Sequence, residues 1–171
     1  PALLDAEGDA DPHVGLRLGG DETYADLPVA RAVGVRAWVT VMRGCDRFCS
    51  FCIVPYVRGR ERSLPGPVLL DQIREAVDRG VREVVLLGQT VNAWRADGWD
   101  FARLLRETAA VPGLLRIRFT SPHPAEMTPA VIDAMAECPA VMPQLHLPVQ
   151  SGADRVLARM ARDYTVAQYE D

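Results

Sequence analysis

From about residue 36 onward, the apolar positions alternate between short continuous runs and runs at helical spacing. The continuous runs are rich in β-branched residues and predict four buried strands, at 37–42, 82–87, 114–119 and 144–149. The runs at helical spacing predict one helix after each strand, beginning near residues 67, 100, 128 and 151. Residues 1–35 are rich in Gly, Asp and Pro and lack periodicity, which predicts a linker or the tail of an upstream element.

Capping signals place the ends of these helices. Asp100 is the predicted N-cap of the second helix, and Thr128 is that of the third. The fourth helix is predicted over 151–162, where Ser151 and Asp154 have the spacing of a capping box. The face of the third helix expected to be buried consists of Val131, Ile132 and Met135.

A strand followed by a helix, repeated four times, predicts parallel strands joined by right-handed crossovers. Continuous apolar strands fit a parallel sheet that is buried on both faces, and no tight-hairpin signal separates the strands. Four units are half of the eight in a TIM-type barrel, which takes about 250 residues. The predicted fold is therefore α/β, a partial barrel of about four units over 36–171 that is incomplete at its C-terminal side.

Composition narrows the class of protein without assigning a function. The 171 residues have the apolar and charged fractions of a soluble globular domain, and the net charge is −4. No apolar run reaches the ~18 residues of a membrane span, and no signal peptide is visible. We therefore expect a cytoplasmic protein without membrane contact. The acids are concentrated in 1–35, so the remainder is nearly neutral and does not by itself indicate nucleic-acid binding.

Three cysteines lie within eight residues, in the spacing C-x3-C-x2-C, directly after the first predicted strand. They are Cys45, Cys49 and Cys52, and three thiolates are one too few to close a four-ligand metal site. An incompletely ligated metal keeps a position open for chemistry. The alternative is a zinc knuckle completed by His123 or Cys138, although structural zinc sites usually bring their ligands in two close pairs.

The strand ends give an independent indication of where the chemistry lies. In α/β folds with parallel strands, functional residues gather at the carboxyl ends of the strands. The segments at those ends are the cysteine loop, 88–92, 120–124 and 148–152. All are polar or rich in Gly and Pro, as ligand-contacting loops are. The cysteines therefore fall on the predicted functional edge of the sheet.

The run C-x3-C-x-aromatic-C at a first strand end resembles the radical S-adenosylmethionine superfamily. Further stretches resemble its methylthiotransferase family: 42–45, 53–63, 86–94, 118–124 and 145–152. The resemblance implies that Cys45, Cys49 and Cys52 hold a [4Fe–4S] cluster whose remaining iron binds S-adenosylmethionine. It also implies that Phe51 packs near the adenine, with an ordinary core position as the alternative for that ring.

The resemblance further implies a transferase that adds a methylthio group to C2 of N6-isopentenyladenosine next to the tRNA anticodon. Its partners would be tRNA and an electron donor such as flavodoxin or ferredoxin. Residues 36–171 would form the N-terminal part of the radical SAM core domain, and a second [4Fe–4S] cluster would belong to an upstream domain outside this chain. Turnover by this chain alone is therefore not expected.

Two other functions stay open from sequence. Sister methylthiotransferases act on threonylcarbamoyladenosine in tRNA or on a ribosomal protein, and residues 88–92 together with Arg60 and Glu61 argue against both. A non-catalytic metal-binding module is the alternative from a different class.

Polar residues near the strand ends supply the remaining candidates. The resemblance implies that Gln89 contacts S-adenosylmethionine, since the superfamily binds the amino group of this cofactor after the second strand, and Gln150 at the end of the fourth predicted strand is a further predicted contact. Arg58 is predicted to contact substrate because a guanidinium suits phosphate or carboxylate, and a solvated loop is the alternative. His123 and His146 are predicted substrate contacts, although a lone histidine is more often structural.

Overall fold

The computed structural model describes residues 34–171, so the linker predicted for 1–35 lies, apart from its last two residues, outside the described part of the chain. The strands are β1 (Arg36–Thr40), β2 (Met42–Arg43), β3 (Arg62–Ser63), β4 (Glu83–Leu87), β5 (Arg95–Ala96), β6 (Trp99–Asp100) and β7 (Arg116–Phe119). The helices are α1 (Val54–Arg58), α2 (Gly66–Asp78), α3 (Phe101–Ala109), α4 (Pro129–Glu137), α5 (Asp154–Arg159) and α6 (Val166–Glu170), with 3₁₀ turns at Val91–Ala93 and Pro124–Glu126.

Among the described residues, the central sheet has three parallel strands in the order β1-β4-β7. Successive long strands are neighbours in this sheet, as βα units with short connections require. The core lies between the sheet and the helices α2, α3 and α4, where Val39, Leu86 and Ile117 are almost completely buried. The predicted α/β class with parallel strands is confirmed.

The first three predicted helices form, and the second and third begin at their predicted N-caps. The side chain of Asp100 accepts a hydrogen bond from the Arg103 N–H at 2.8 Å, and that of Thr128 accepts one from the Val131 N–H at 3.4 Å. The expected buried face of α4 is partly wrong, because Ile132 is 52% exposed. The helix instead buries Val131 and Ala134, and the rotation of about 100° per residue carries Ile132 away from the core.

The prediction of a fourth strand at 144–149 is wrong, since this stretch has no regular secondary structure. Only Val141 pairs with the sheet, through an isolated parallel bridge to Ile117. Pro143 and Pro148 flank and interrupt the apolar run, and neither has an N–H to donate to a sheet ladder. The described part of the barrel therefore has three parallel strands rather than four.

The last predicted helix is shorter than expected. It spans Asp154–Arg159, and Ser151 does not cap it, because the Ser151 hydroxyl accepts a hydrogen bond from the Ala153 N–H before the helix begins. A capping box does occur at the next helix, α6, where Thr165 and Gln168 satisfy each other's backbone N–H groups. The expected capping box at Ser151 and Asp154 is therefore wrong.

Two short antiparallel ladders supplement the parallel sheet. Strands β2 and β3 pair across the cysteine loop, with Met42 opposite Ser63. Strands β5 and β6 form a tight hairpin whose central residues, Asp97 and Gly98, have φ of 52° and 75°. An Asp-Gly pair is a sequence signal for such a turn, so the expectation of no tight hairpin is wrong. Across residues 34–171, no helix is long and apolar enough to span a membrane.

One buried carboxylate joins all three parallel strands. Glu83 begins β4, lies opposite Arg36 of β1 and Arg116 of β7, and is 4% exposed. Its carboxylate oxygens lie 2.5 Å from Arg36 Nε, 3.6 Å from Arg116 Nη1 and 3.5 Å from Arg118 Nε. Glu83 therefore balances part of the positive charge at the start of the sheet.

Candidate functional site

The cysteine loop, residues 44–53, begins beyond the carboxyl end of β1, where the sequence predicts it. Gly44 opens the loop with φ of 77°, and a Cβ added there would lie 2.0 Å from the carbonyl oxygen of Arg60. The N–H of Cys45 donates to the Gly59 carbonyl at 3.2 Å. The loop therefore closes against residues 59–60, and only glycine fits this crossing.

The three thiols have different surroundings. Cys45 and Cys49 are each 8% exposed, and Cys52 is partly exposed. Cys45 Sγ lies 3.2 Å from Thr90 Oγ1, whereas Cys49 Sγ accepts a hydrogen bond from Arg162 Nη1 at 3.2 Å. Within the described range, no three His, Cys, Asp or Glu side chains lie close enough together to hold a metal ion. This applies to the three loop cysteines, and equally to the alternative zinc site completed by His123 or Cys138.

The last part of the chain packs against the cysteine loop. The Ser50 N–H donates to the Met160 carbonyl at 3.1 Å, and the Ser50 hydroxyl donates to the Arg159 carbonyl at 2.9 Å. Arg162, which contacts Cys49, comes from the same stretch. Residues more than 100 positions apart in sequence therefore build one site.

Arg47 is surrounded by carboxylates. Its guanidinium forms ion pairs with Glu126, after β7, and with Asp163, between α5 and α6. Glu126 also pairs with Arg95 of β5 at 3.2 Å. The side chains of Arg47 and Glu126 are 18% and 19% exposed, so this ion pair is shielded from water more than an ordinary surface pair is. We refer to Arg47, Glu126, Asp163 and Arg95 as the arginine–carboxylate cluster.

His123 is buried beside this cluster. Its backbone N–H donates to Asn92 Oδ1 at 2.8 Å, and its carbonyl accepts from Asn92 Nδ2 at 2.9 Å. Its ring Nδ1 accepts from the Ala125 N–H at 3.2 Å, which assigns the proton of the neutral ring to Nε2. Burial, followed by the charges of Arg162 and Arg47, lowers the pKa of His123 to about 4, against the opposing effect of Asp163. The imidazole is therefore neutral near pH 7.

The other predicted site residues are spread around the loop. Phe51 is 57% exposed, and Arg58 is exposed in the last turn of α1 with its carbonyl accepting from Arg62 Nη2. Gln89 is partly buried, and its Oε1 atom is buried without a hydrogen-bond partner. His146 and Gln150 are exposed on the irregular stretch after Val141, where Gln150 has φ of 67°.

Several residues at the site have no signal in the sequence pattern. These are Arg47, Glu126, Arg162 and Asp163, and their partners are distant along the chain. Asn92 lies in a segment that the strand-end rule selects, but turn chemistry and ligand contact predict the same residue type there. Its two hydrogen bonds to His123 are a third role, which only the fold reveals.

Comparison with protein families decides the class. The sequence profile of the Radical SAM superfamily matches residues 39–171. The chain belongs to the radical SAM superfamily. The position of the cysteine loop at the end of β1 in this radical SAM chain agrees with the resemblance stated from sequence.

Curated relatives narrow the similarity to one branch of the radical SAM enzymes. The chain is 45% identical over 174 residues to the tRNA-2-methylthio-N(6)-dimethylallyladenosine synthase of Jannaschia sp. (strain CCS1), with 99% of this chain and 38% of the relative covered. It is 46% identical over 176 residues to the synthase of the same name from Citrobacter koseri, with 99% and 37% covered. The chain spans less than two fifths of the length of these relatives. The resemblance to the methylthiotransferase family is confirmed.

Solved structures support the radical SAM fold. The methyltransferase TsrM from Kitasatospora setae, solved with tryptophan and an S-adenosylmethionine analogue, matches with a TM-score of 0.63 and 17% identity over 80% of this chain and 27% of that chain. The cobalamin-dependent enzyme OxsB matches with a TM-score of 0.61 and 16% identity over 77% and 21%. At such identities the likeness shows the fold alone. It agrees with the partial α/β architecture described above.

Proposed function

We propose that this chain is the part of a radical SAM methylthiotransferase that holds a [4Fe–4S] cluster and S-adenosylmethionine. The whole protein would add a methylthio group to C2 of N6-isopentenyladenosine next to the tRNA anticodon. The observation that carries this proposal is the 45% identity to the synthases over 99% of the chain, together with the cysteine loop at the end of β1.

The residues of the loop suit the cluster in their chemistry. Cys45, Cys49 and Cys52 are free thiols, and thiolates are the ligands of iron–sulfur clusters. The Arg47 N–H, at 3.5 Å from Cys45 Sγ, and Arg162 at Cys49 supply N–H donors to sulfur. Such donors tune the potential of a cluster. When bound, the cluster supplies the electron that cleaves S-adenosylmethionine.

The cofactor contacts proposed here are Phe51, Gln89 and Gln150. The buried Gln89 Oε1 is an acceptor without a partner in the described part of the chain, which suits the ammonium group of S-adenosylmethionine. The exposed Phe51 ring offers an apolar surface for the adenine. Gln150 is exposed at the end of the irregular stretch and is free to turn toward a ligand.

The substrate contacts proposed here are Arg58, His123 and His146. Arg58 is exposed next to the loop and carries a charge suited to an RNA phosphate. His123, neutral near pH 7 with Nε2 protonated, is a hydrogen-bond donor rather than a base toward a nucleoside. The partners would be tRNA and an electron donor such as flavodoxin or ferredoxin, in the cytoplasm. A second cluster would lie in the upstream domain of the whole protein.

Iron binding by the cysteine loop is the first test of this proposal. Anaerobic reconstitution of this chain with iron and sulfide should give about four irons per chain and a broad visible absorbance. Replacing Cys45, Cys49 and Cys52 together by alanine should abolish both, and Cys138→Ala, outside the loop, should leave them unchanged. Colourless protein holding a single zinc would instead support the metal-binding module.

The activity is tested in the whole protein. Reduction with dithionite in the presence of S-adenosylmethionine should yield 5′-deoxyadenosine, and the triple alanine variant should yield none. Mass spectrometry of tRNA nucleosides from a strain lacking the gene identifies the substrate. Loss of the methylthio-isopentenyl nucleoside supports the proposal. Loss of the methylthio-threonylcarbamoyl nucleoside would instead show that the protein is the sister methylthiotransferase.

A further inference from the structure

We propose that Arg47 is a positioning residue, which holds the cysteine loop in shape by binding carboxylates from two later segments of the chain. This inference rests on the proposed function, because it takes the loop to be the part that carries the cluster. Arg47 is the second of the three residues between Cys45 and Cys49, and the spacing C-x3-C specifies no residue type there.

The geometry of the guanidinium carries the proposal. One terminal nitrogen of Arg47 faces Glu126 and the other faces Asp163, so a single side chain bonds two carboxylates from separate segments. The Arg47 and Glu126 side chains are 18% and 19% exposed. An ion pair so shielded from solvent is screened less by salt than an exposed one.

The loop needs such an anchor because its backbone is strained next to Arg47. Phe48 has φ of 47°, a left-handed conformation that is uncommon for an aromatic residue. The N–H of Arg47 points at Cys45 Sγ, 3.5 Å away. Fixing the Arg47 side chain therefore fixes the backbone on which the direction of the Cys45 thiol depends.

The arginine–carboxylate cluster also joins the functional loops to each other. Glu126 follows β7 and binds Arg95 of the β5–β6 hairpin as well as Arg47. Asp163 belongs to the stretch whose Arg162 contacts Cys49 Sγ. Through Arg47, the cysteine loop is bonded to the segments that follow β7 and α5. Loss of Arg47 releases these bonds at the point where the loop is strained.

A second arginine of the same region provides a matched control. Arg60 pairs with Asp46 of the cysteine loop at 2.6 Å, but the two side chains are 71% and 38% exposed. Arg60→Met removes one positive charge and one ion pair of the same loop, whereas Arg47→Met removes one positive charge and two ion pairs. The change in charge is therefore the same in both variants, and they differ in the burial of the ion pairs and in the segments that those pairs join.

The test measures alkylation of individual cysteines in the iron-free chain by mass spectrometry, using iodoacetamide as the probe. In Arg47→Met we expect Cys45 and Cys49 to react at least about fivefold faster than in the unmodified chain, because the loop opens locally. Cys138, outside the loop, should keep its rate in every variant. Arg60→Met should stay within about twofold, and Arg47→Lys should recover part of the protection because its ammonium still binds a carboxylate.

The same variants are then compared for iron release from the reconstituted chain to a chelator, where Arg47→Met should lose iron faster than Arg60→Met. Unchanged alkylation of Cys45 and Cys49 in Arg47→Met, or an equal effect of Arg60→Met, overturns the proposal. If Arg47→Met fails to fold by circular dichroism, Glu126→Gln removes the same ion pair and the same criteria apply to it. A chain that binds no iron would defeat the proposed function, and the alkylation result would still decide the role of Arg47.

Discussion

Asn92 and His123 hold each other through two hydrogen bonds, in which the Asn92 side-chain amide both donates to and accepts from the backbone of His123. Asn92 is 1% exposed and His123 is 5% exposed, so water does not compete for these groups. The pair connects the loop after β4 with the loop after β7. Both loops lie on the edge of the sheet where the cysteines are. The Asn92 side-chain amide therefore helps to fix the arrangement of the loops at this edge.

Replacing Asn92 by alanine should destabilise the chain more than its small change in volume suggests. The backbone N–H of His123 would lose its partner in a buried place, and the His123 carbonyl would keep only its hydrogen bond from the Glu126 N–H, so the cost should be about 1–3 kcal/mol. Asn92→Asp keeps an acceptor for the N–H but sets a carboxylate oxygen against the carbonyl, so it should also destabilise. Urea unfolding gives both values, and a change below about 0.5 kcal/mol for Asn92→Ala would contradict the role of this pair.

The stability of the chain should depend on pH through His123. Its pKa in the fold is about 4, below the ordinary value of 6.5, so the unfolded chain takes up this proton first as the pH falls. Stability due to His123 is therefore complete above about pH 6.5 and is lost as the pH falls toward 4, by about 3 kcal/mol in total. Unfolding of the iron-free chain measured between pH 4 and 7 should show this slope. His123→Gln, which does not titrate, should reduce it, and an unchanged slope would refute the assignment.

Gly44 should tolerate no side chain. The Cβ of Gly44→Ala would lie 2.0 Å from the Arg60 carbonyl oxygen, and the φ of 77° strains any residue with a side chain. We expect a loss of at least about 2 kcal/mol in unfolding free energy together with reduced iron uptake on reconstitution. Gly152→Ala is the matched control, since no atom of residues 34–171 lies within 4 Å of its added Cβ. Equal stability of the two variants would mean that the loop does not close against residues 59–60.

Glu83→Gln should destabilise the sheet through its arginines. The buried carboxylate faces Arg36, Arg116 and Arg118, which are partly exposed and so partly screened by water. Removing the charge should cost about 1–3 kcal/mol, and less at high salt than at low salt. Glu75→Gln removes an exposed partner of Arg79 and should cost about 0.5 kcal/mol or less. Urea unfolding at two salt concentrations separates these outcomes, and a similar cost at both positions would contradict a special role for Glu83.

Much of the fold follows from local signals in the sequence. The caps at Asp100 and Thr128 and the apolar runs of the three long strands are readable because helix ends and strand burial depend on nearby residues. The run 144–149 has the composition of a strand, but strand formation also requires N–H groups and a neighbour. Pro143 and Pro148 have no N–H to donate to a neighbouring strand, and this lack prevents strand formation despite the apolar composition.

The candidate site divides in the same way. The three cysteines and their position after β1 are visible in the sequence, because metal ligands require particular residue types at particular spacing. The partners of Arg47 lie 79 and 116 residues further along the chain, and no local pattern marks a pair of charges so far apart. Such contacts become visible only when the strand ends are brought together.

The face of β1 that does not pack on the core carries an exposed tryptophan, Trp38, whose fluorescence reports on that face. Ala37 and Val39 point into the core, whereas Trp38 between them is 51% exposed. Trp94 is fully buried, and Trp99 is partly buried with the Arg103 guanidinium over its ring, so Trp38 is the most exposed of the three indoles. Iodide should therefore quench the emission of Trp38 more strongly than that of Trp94 or Trp99. Any segment or partner that covers this face of the sheet should shift its fluorescence to shorter wavelength, which makes assembly on the sheet observable without a label.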